Sequence, residues 1–221
     1  MESVNITDLY DLTQTMAAEL FQGKIFPWEL LPEIGDWILK TGPMLDKDIY
    51  EERGDGIWIA GSASIASTAS VTGPVIIGEH TEVRPGAFIR GNVLVGDHCV
   101  VGNSTELKNV ILFNHVQVPH YNYVGDSILG YRSHMGAGSI TSNVKSDKKP
   151  VVVKGSKARW ETGFKKFGAM LGDHVEVGCG SVLNPGTVVG RNTNIYPLTS
   201  VRGVIPSDSI VKSTDRIVDK M

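Results

Sequence analysis

Residues 75–107 read VIIGEHTEVRPGAFIRGNVLVGDHCVVGNSTEL. Within them Ile77, Val83, Ile89, Val95, Val101 and Leu107 fall six residues apart. Upstream, Ile59, Ile65 and Val71 keep the same step, so nine aliphatic residues stand in one unbroken series, which Phe113 extends with a bulkier side chain. Two positions before each comes a small or β-branched residue: Ala63, Ala69, Val75, Thr81, Ala87, Val93, Cys99 and Thr105. Glycine often follows the aliphatic, as at Gly78, Gly96 and Gly102.

A period of six is neither the 3.6 of an α-helix nor the 2 of a strand, so it signals a repeating architecture. Each hexad supplies one short strand and one turn, and three hexads close a triangular coil. The aliphatic side chain points inward and stacks on its counterpart eighteen residues later. One coil cannot bury its own apolar face, but a stack of coils can. A second series, Leu171, Val177, Leu183, Val189, Ile195 and Val201, repeats the pattern. Between the two, Val118, Val124, Leu129 and Met135 continue it with slips. The fold expected is all-β, a parallel β-helix over residues 57–205, taken as left-handed by analogy with other hexad chains.

The flanks differ. Over residues 1–56, Thr7 or Asp8 caps a helix carrying Leu9, Leu12, Met16 and Leu20 and closed by Gly23, and a second helix runs from Glu29 to Lys40, ahead of Gly42. This segment is read as a helical cap. The stretch from about 142 to 169 breaks the hexads and holds eight Lys or Arg residues with Trp160 and Phe164, so it reads as a loop extruded from a coil. Residues 206–221 read as a tail.

Composition narrows the functional classes. The net charge of -3 gives no basic footprint for nucleic acid. The only two cysteines, Cys99 and Cys179, make neither a disulfide framework nor a zinc ribbon. The chain carries no signal-peptide pattern at its start and no membrane-length apolar run, so the expectation is a cytoplasmic protein with no nucleic-acid or membrane partner.

Four segments hold the chemistry. They are Val83-Arg84-Pro85-Gly86-Ala87, then Gly102-Asn103-Ser104-Thr105-Glu106-Leu107-Lys108, then His120-Tyr121-Asn122-Tyr123-Val124-Gly125-Asp126, and Gly136-Ala137-Gly138 running on to Asn143. Their order and spacing resemble the acetyltransferase domain of the bifunctional glucosamine-1-phosphate acetyltransferase/uridylyltransferase family. The Thr162–Ala169 run looks more like the archaeal-type sugar-1-phosphate nucleotidylyltransferases with an amino-sugar acetyltransferase tail. The resemblance covers about residues 57–205. It implies an enzyme that transfers acetyl from acetyl-CoA to the amine of a hexosamine 1-phosphate.

The resemblance also implies site residues. His120 matches the base, a role suited to a group that titrates near neutrality. Arg84 and Lys108 match the cations that hold the sugar phosphate. Tyr123, Asn143 and Lys149 match positions that contact the sugar. Ala137 matches the oxyanion and acetyl-CoA contact, and Cys179 and Pro197 match the CoA channel. Two positions depart from the pattern: Val144 stands where the family has tyrosine, and His134 where it has asparagine. Both touch the substrate pocket. The chain shows no nucleotidyltransferase glycine loop, so a separate nucleotidyltransferase is an expected partner. A homotrimer is expected from fold analogy alone.

Two other readings stay open. His80, His115 and His120 stand at a spacing closely similar to that of the metal ligands in γ-class carbonic anhydrases, which share this architecture, and three histidines with an open position suit catalytic zinc. Alternatively, the chain is a structural or regulatory β-helix subunit without chemistry.

Overall fold

The computed structural model describes residues 4–220. Its body is a left-handed parallel β-helix with three walls. Wall 1 is built from Ile57–Ala60, Val75–Ile77, Val93–Val95, the second halves of Glu106–Leu112 and Tyr123–Leu129, then Ala169–Leu171, Thr187–Val189 and Val204–Ile205. Wall 2 stacks Ser64–Ile65, Glu82–Val83, Val100–Asn103, Gln117–His120, His134–Met135, Glu176–Val177, Asn194–Ile195 and Ser209–Ser213. Wall 3 stacks Ser70–Val71, Phe88–Ile89, the first halves of Glu106–Leu112 and Tyr123–Leu129, then Ile140–Thr141, Val182–Leu183 and Ser200–Val201.

The hexad series is the interior of this prism. Ile59 pairs in register with Ile77 and Ile77 with Val95, Ile65 with Val83 and Val83 with Val101, Val71 with Ile89 and Ile89 with Leu107. From Ile77 onward these side chains are buried. The expectation for Phe113 is corrected: Leu112, not Phe113, pairs with Val95. The register moves because the corner at Lys108-Asn109 is one residue shorter than the Arg90-Gly91-Asn92 corner below it. Asn109 and Asp126 adopt left-handed φ of 56° and 48° at these shortened corners, a conformation Asn and Asp tolerate better than most residues. Phe113 is instead buried against Tyr10 and Phe21, with ring centroids 5.1 and 5.7 Å away.

The N-terminal segment packs against a side of the prism. It runs along wall 1, opposite to the direction in which the coils climb. Asp173 N donates to Leu9 O, Asn114 N donates to Gln14 O, and α-helical residues further on pack over the strands from Val75 to Leu112. The first expected helix is broken into an α-turn at Ile6–Leu9 and 3-10 turns at Leu12–Gln14 and Ala18–Phe21. A continuous helix would consume the carbonyls of Leu9 and Gln14 that the prism uses. The second helix is α-helical only over Ile34–Thr41, after a 3-10 turn at Pro27–Leu30. Wall 1 explains the arrangement: its outward side chains Trp58, Ile76, Leu94, Ile111, Ile128, Met170 and Val188 are apolar, and the segment and its neighbours bury them. Burying each such side chain contributes roughly 1.5–3 kcal/mol.

The stretch 142–168 leaves the coil and returns as an antiparallel hairpin, Val152–Lys154 with Arg159–Glu161. Val151, Val153 and Phe167 are buried, and Trp160 packs edge-on to Phe26, which stacks on Trp28. The last residues are a second hairpin: Ser209–Ser213 joins wall 2 and pairs antiparallel with Arg216–Asp219. It adds two strands to the upper edge of wall 2.

Candidate active site

Walls 2 and 3 meet at a corner where equivalent residues of successive coils form a column. In this column His120 is followed by Ala137, Cys179 and Pro197. Gly138 N donates to His120 O at 3.0 Å, Gly180 N to Ala137 O at 2.9 Å and Leu198 N to Cys179 O at 2.9 Å. All four residues are exposed. The backbone under His120 is fixed: His120 N donates to Asn122 Oδ1 at 3.1 Å, and Asn122 Nδ2 donates to the carbonyls of Gly136 and Ser139. The Ala137 N–H is left unengaged by the described backbone. A shallow cavity of about 270 Å³ lies beside the upper column, bordered by His134, Cys179, Tyr196 and Pro197. Gly136, Val177, Gly178, Ile195 and Pro197 keep its lining low and largely apolar.

A second constellation lies across wall 3, at its far edge. Asp126 Oδ1 accepts from Lys108 Nζ and Asn109 Nδ2, both at 3.0 Å, and its Oδ2 accepts from Asn143 Nδ2 at 2.6 Å. Asn143 also donates to Tyr123 Oη at 3.1 Å. The Tyr123 ring reaches over Gly125, where an added Cβ would stand 2.5 Å from the phenol oxygen. Burial, with smaller contributions from Asp126 and Glu106, raises the Tyr123 phenol above its usual value. It therefore stays protonated near neutral pH and keeps a proton to donate.

The structure thus joins Lys108, Tyr123 and Asn143 into one network and His120, Ala137, Cys179 and Pro197 into one column, on opposite edges of the same wall. It does not bring Arg84 to Lys108. Arg84 lies at the end of wall 2, two coils below His120, with Nη2 3.0 Å from Glu82 Oε2. The cation stacked below Lys108 is Arg90, whose N donates to Leu107 O and whose guanidinium reaches Glu106 and the Phe88 ring. The eighteen-residue spacing from Arg90 to Lys108 carried that signal. Lys149 is exposed in the extruded segment, where its backbone N–H donates to Asp147. Val144 is exposed near Lys166, with which it forms a bridge. His134 faces outward on wall 2, its Nδ1 2.9 Å from Glu176 Oε2. Asp126, the hub of the polar network, is a residue that the motif contained but that motif matching gave no role.

The histidines named for a metal are apart within the chain. His80, His98 and His115 form a stacked ladder at the corner of walls 1 and 2, with centroids 4.9 and 4.8 Å apart. His120 ends the strand whose other side begins near His115. Among the described residues no group of three His, Cys, Asp or Glu side chains is placed to hold a metal ion, and no helix is long and apolar enough to cross a membrane.

The family model described as the GMPPB C-terminal domain matches residues 71–164. The bifunctional protein GlmU of Methanococcus aeolicus is 34% identical over 212 residues, covering 88% of this chain and 47% of the relative. A bifunctional sugar-1-phosphate nucleotidylyltransferase/acetyltransferase of Sulfurisphaera tokodaii is 29% identical over 189 residues, covering 77% of this chain and 43% of its own. The chain spans less than half the length of these relatives. Among solved structures, a putative acetyltransferase of Bacillus cereus shares 18% identity over 74% of this chain and 77% of its own, with a TM-score of 0.40. Across its hexad coils the chain resembles the left-handed β-helix acetyltransferase part of the GlmU proteins and of the archaeal-type sugar-1-phosphate nucleotidylyltransferase/acetyltransferases.

Proposed function

We propose that the chain transfers acetyl from acetyl-CoA to the amine of an amino-sugar phosphate. One observation carries this reading: an exposed imidazole, His120, stands at one edge of wall 3 and the Lys108–Asp126–Asn143–Tyr123 network at the other. Acetyl transfer to an amine needs a base for the amine proton, donors for the developing oxyanion and a grip on the acceptor. His120 accepts the proton as the amine attacks the thioester carbonyl. The unengaged Ala137 N–H, one coil above, is a donor for the oxyanion. Lys108 and Arg90 are the cations for a phosphate, and Tyr123 and Asn143 supply hydrogen bonds to a sugar. Acetyl-CoA supplies the activated acyl group, and the Ala137–Cys179–Pro197 column supplies its groove. The GlmU and nucleotidylyltransferase/acetyltransferase relatives support the acyl-transfer chemistry. The particular amino sugar, a homotrimeric assembly, a cytoplasmic setting and a separate nucleotidyltransferase partner belong to the same proposal.

The test is release of free CoA thiol from acetyl-CoA with glucosamine 1-phosphate or galactosamine 1-phosphate. Thiol release that needs the amino sugar, and that falls by about 10²–10⁴-fold in His120→Ala, supports the reading. Undiminished transfer in His120→Ala removes His120 from the chemistry. No thiol release with any amino-sugar phosphate removes the reaction itself and favours a scaffold role.

A further inference from the structure

Above the Lys108 network, wall 3 and the extruded hairpin enclose a cavity of about 600 Å³. Its floor is the outward column that continues upward from Lys108 and Gly125: Ser142, Asn184 and Arg202, each one coil above the last. Its far side is the hairpin, which turns Val152, Lys154, Arg159 and Glu161 to the cavity. Lys145 and Asp147 close the mouth, paired with each other at 3.2 Å. The charged lining therefore holds four cations and two carboxylates. Among the described residues no ion pair engages Lys154, Arg159 or Arg202.

One detail of the hairpin points to an anion. Lys154 and Arg159 are direct register partners across its two strands. Cross-strand partners lie on one face, and like charges placed directly opposite are destabilising. The hairpin's other face is apolar and satisfied, with Val153 paired to Trp160 and buried. Only the cavity side carries this uncompensated pair, and Arg202 adds a third cation from the opposite wall. A ligand with several negative oxygens would offset the repulsion, and the arginine guanidiniums suit phosphate oxygens bidentately. The volume is that of a small-molecule site.

We propose that this cavity is a phosphate-binding site for a nucleotide-sized ligand carrying two or more phosphate charges, separate from the Lys108 and Arg90 cations. Because its floor continues the Lys108 column, a ligand seated here extends down wall 3 toward Tyr123. Two to four coils at about 4.8 Å each give a reach of roughly 10–19 Å. Two molecules share this chemistry: an acyl-CoA, through its adenosine 3′,5′-bisphosphate end, and a nucleotide-linked sugar, through its diphosphate. The cavity itself is argued from charge and register; only these two sources rest on the proposed acetyl transfer.

Calorimetric titration of the full chain with adenosine 3′,5′-bisphosphate, with UDP and with inorganic phosphate tests the site. Arg159→Gln and Arg202→Gln are the variants, both at exposed side chains. Binding of either nucleotide more tightly than inorganic phosphate, weakened about ten-fold in each variant, supports the site. Adenosine 3′,5′-bisphosphate as the preferred probe places the acyl donor there, and UDP places a nucleotide-linked acceptor. The proposal is overturned if neither nucleotide outbinds inorganic phosphate, or if both variants bind as the parent does. The same titration on His120→Ala is expected to be unchanged, so a failure of the acetyl-transfer reading and a failure of this site are read separately.

Discussion

Lys108 Nζ lies 3.0 Å from Asp126 Oδ1 across the shortened corner of walls 3 and 1, and that carboxylate is almost wholly buried, with 5% of its side chain exposed against 27% for Lys108. The lysine proposed to grip a phosphate is therefore held in place before any ligand arrives. Asp126 holds Asn143 through its other oxygen and, through Asn143, Tyr123. It is a positioning residue for three side chains at once. Asp126→Ala strands three donors and is expected to cost about 3 kcal/mol of stability. Asp126→Asn keeps the shape, removes the charge and is expected to cost less. In Asp126→Asn the KM for the amino-sugar phosphate should rise at least several-fold while the KM for acetyl-CoA stays as it was. A shift in both constants alike would show that Asp126 serves only the fold.

Gly125 and Gly102 separate site from scaffold. A Cβ at Gly125 meets Tyr123 Oη at 2.5 Å and Asn143 Nδ2 at 3.0 Å, the far ends of two side chains that can move. A Cβ at Gly102 would fall inside the Pro119 backbone, which cannot. Gly125→Ala should therefore retain most of its thermal stability and lose acceptor affinity, because Tyr123 is pushed off Asn143. Gly102→Ala should lose stability outright, by several kcal/mol on the scale of overpacked cores, or fail to accumulate. Thermal melts beside initial-rate measurements distinguish the two. Equal melting losses would mean that Tyr123 is as rigid as the backbone.

The hexads made the prism legible because each aliphatic, from Ile59 to Leu107, answers to the same inward geometry. Phe113 broke that rule for a reason the pattern cannot express: a corner shortened by one residue at Asn109. The position of the N-terminal segment was illegible for a related reason. Nothing in Leu9, Leu12 and Leu20 says whether an apolar stripe will face an end or a side, and the decisive residues are the outward Ile76, Leu94 and Ile111 of wall 1. At the proposed site, motif order points to His120, Tyr123 and Asn143, of which the structure ties Tyr123 to Asn143. The Arg-Pro-Gly-Ala motif points to Arg84, whereas the eighteen-residue column spacing to Lys108 points to Arg90. Asp126 went without a role because a carboxylate gives no motif signal for what it will orient.

The two thiols occupy opposite environments. Burial pushes the Cys99 thiol up to about 12, and its Sγ donates to Phe113 O inside the prism. Cys179 is exposed on the column proposed for CoA. An aromatic disulfide reagent should therefore titrate one thiol in the folded protein and the second only after denaturation. Saturating acetyl-CoA should slow modification of Cys179 markedly. An unaltered rate at saturation would take Cys179 out of the groove.

His115 sets an acid limit on the ladder. Its ring stacks on His98 at 8° and meets the edge of Tyr131 at 5.6 Å. Burial holds its pKa below the ordinary 6.5, His98 and Arg132 lower it further, and Asp97 opposes them. The folded chain thus resists a proton that the unfolded chain accepts. This contribution is complete above about pH 6.5 and is lost as the pH falls toward the folded value. Asp173 works in the other direction, since burial raises its carboxyl, but it is common to parent and variant. His115→Asn is the informative change, because asparagine tolerates the left-handed φ of 61° at this corner. The stability difference between parent and variant should be flat above pH 7. It should then move in the variant's favour from pH 6.5 downward, read from denaturant midpoints at half-unit steps. Parallel curves across that range would show that the ladder takes up its protons without penalty.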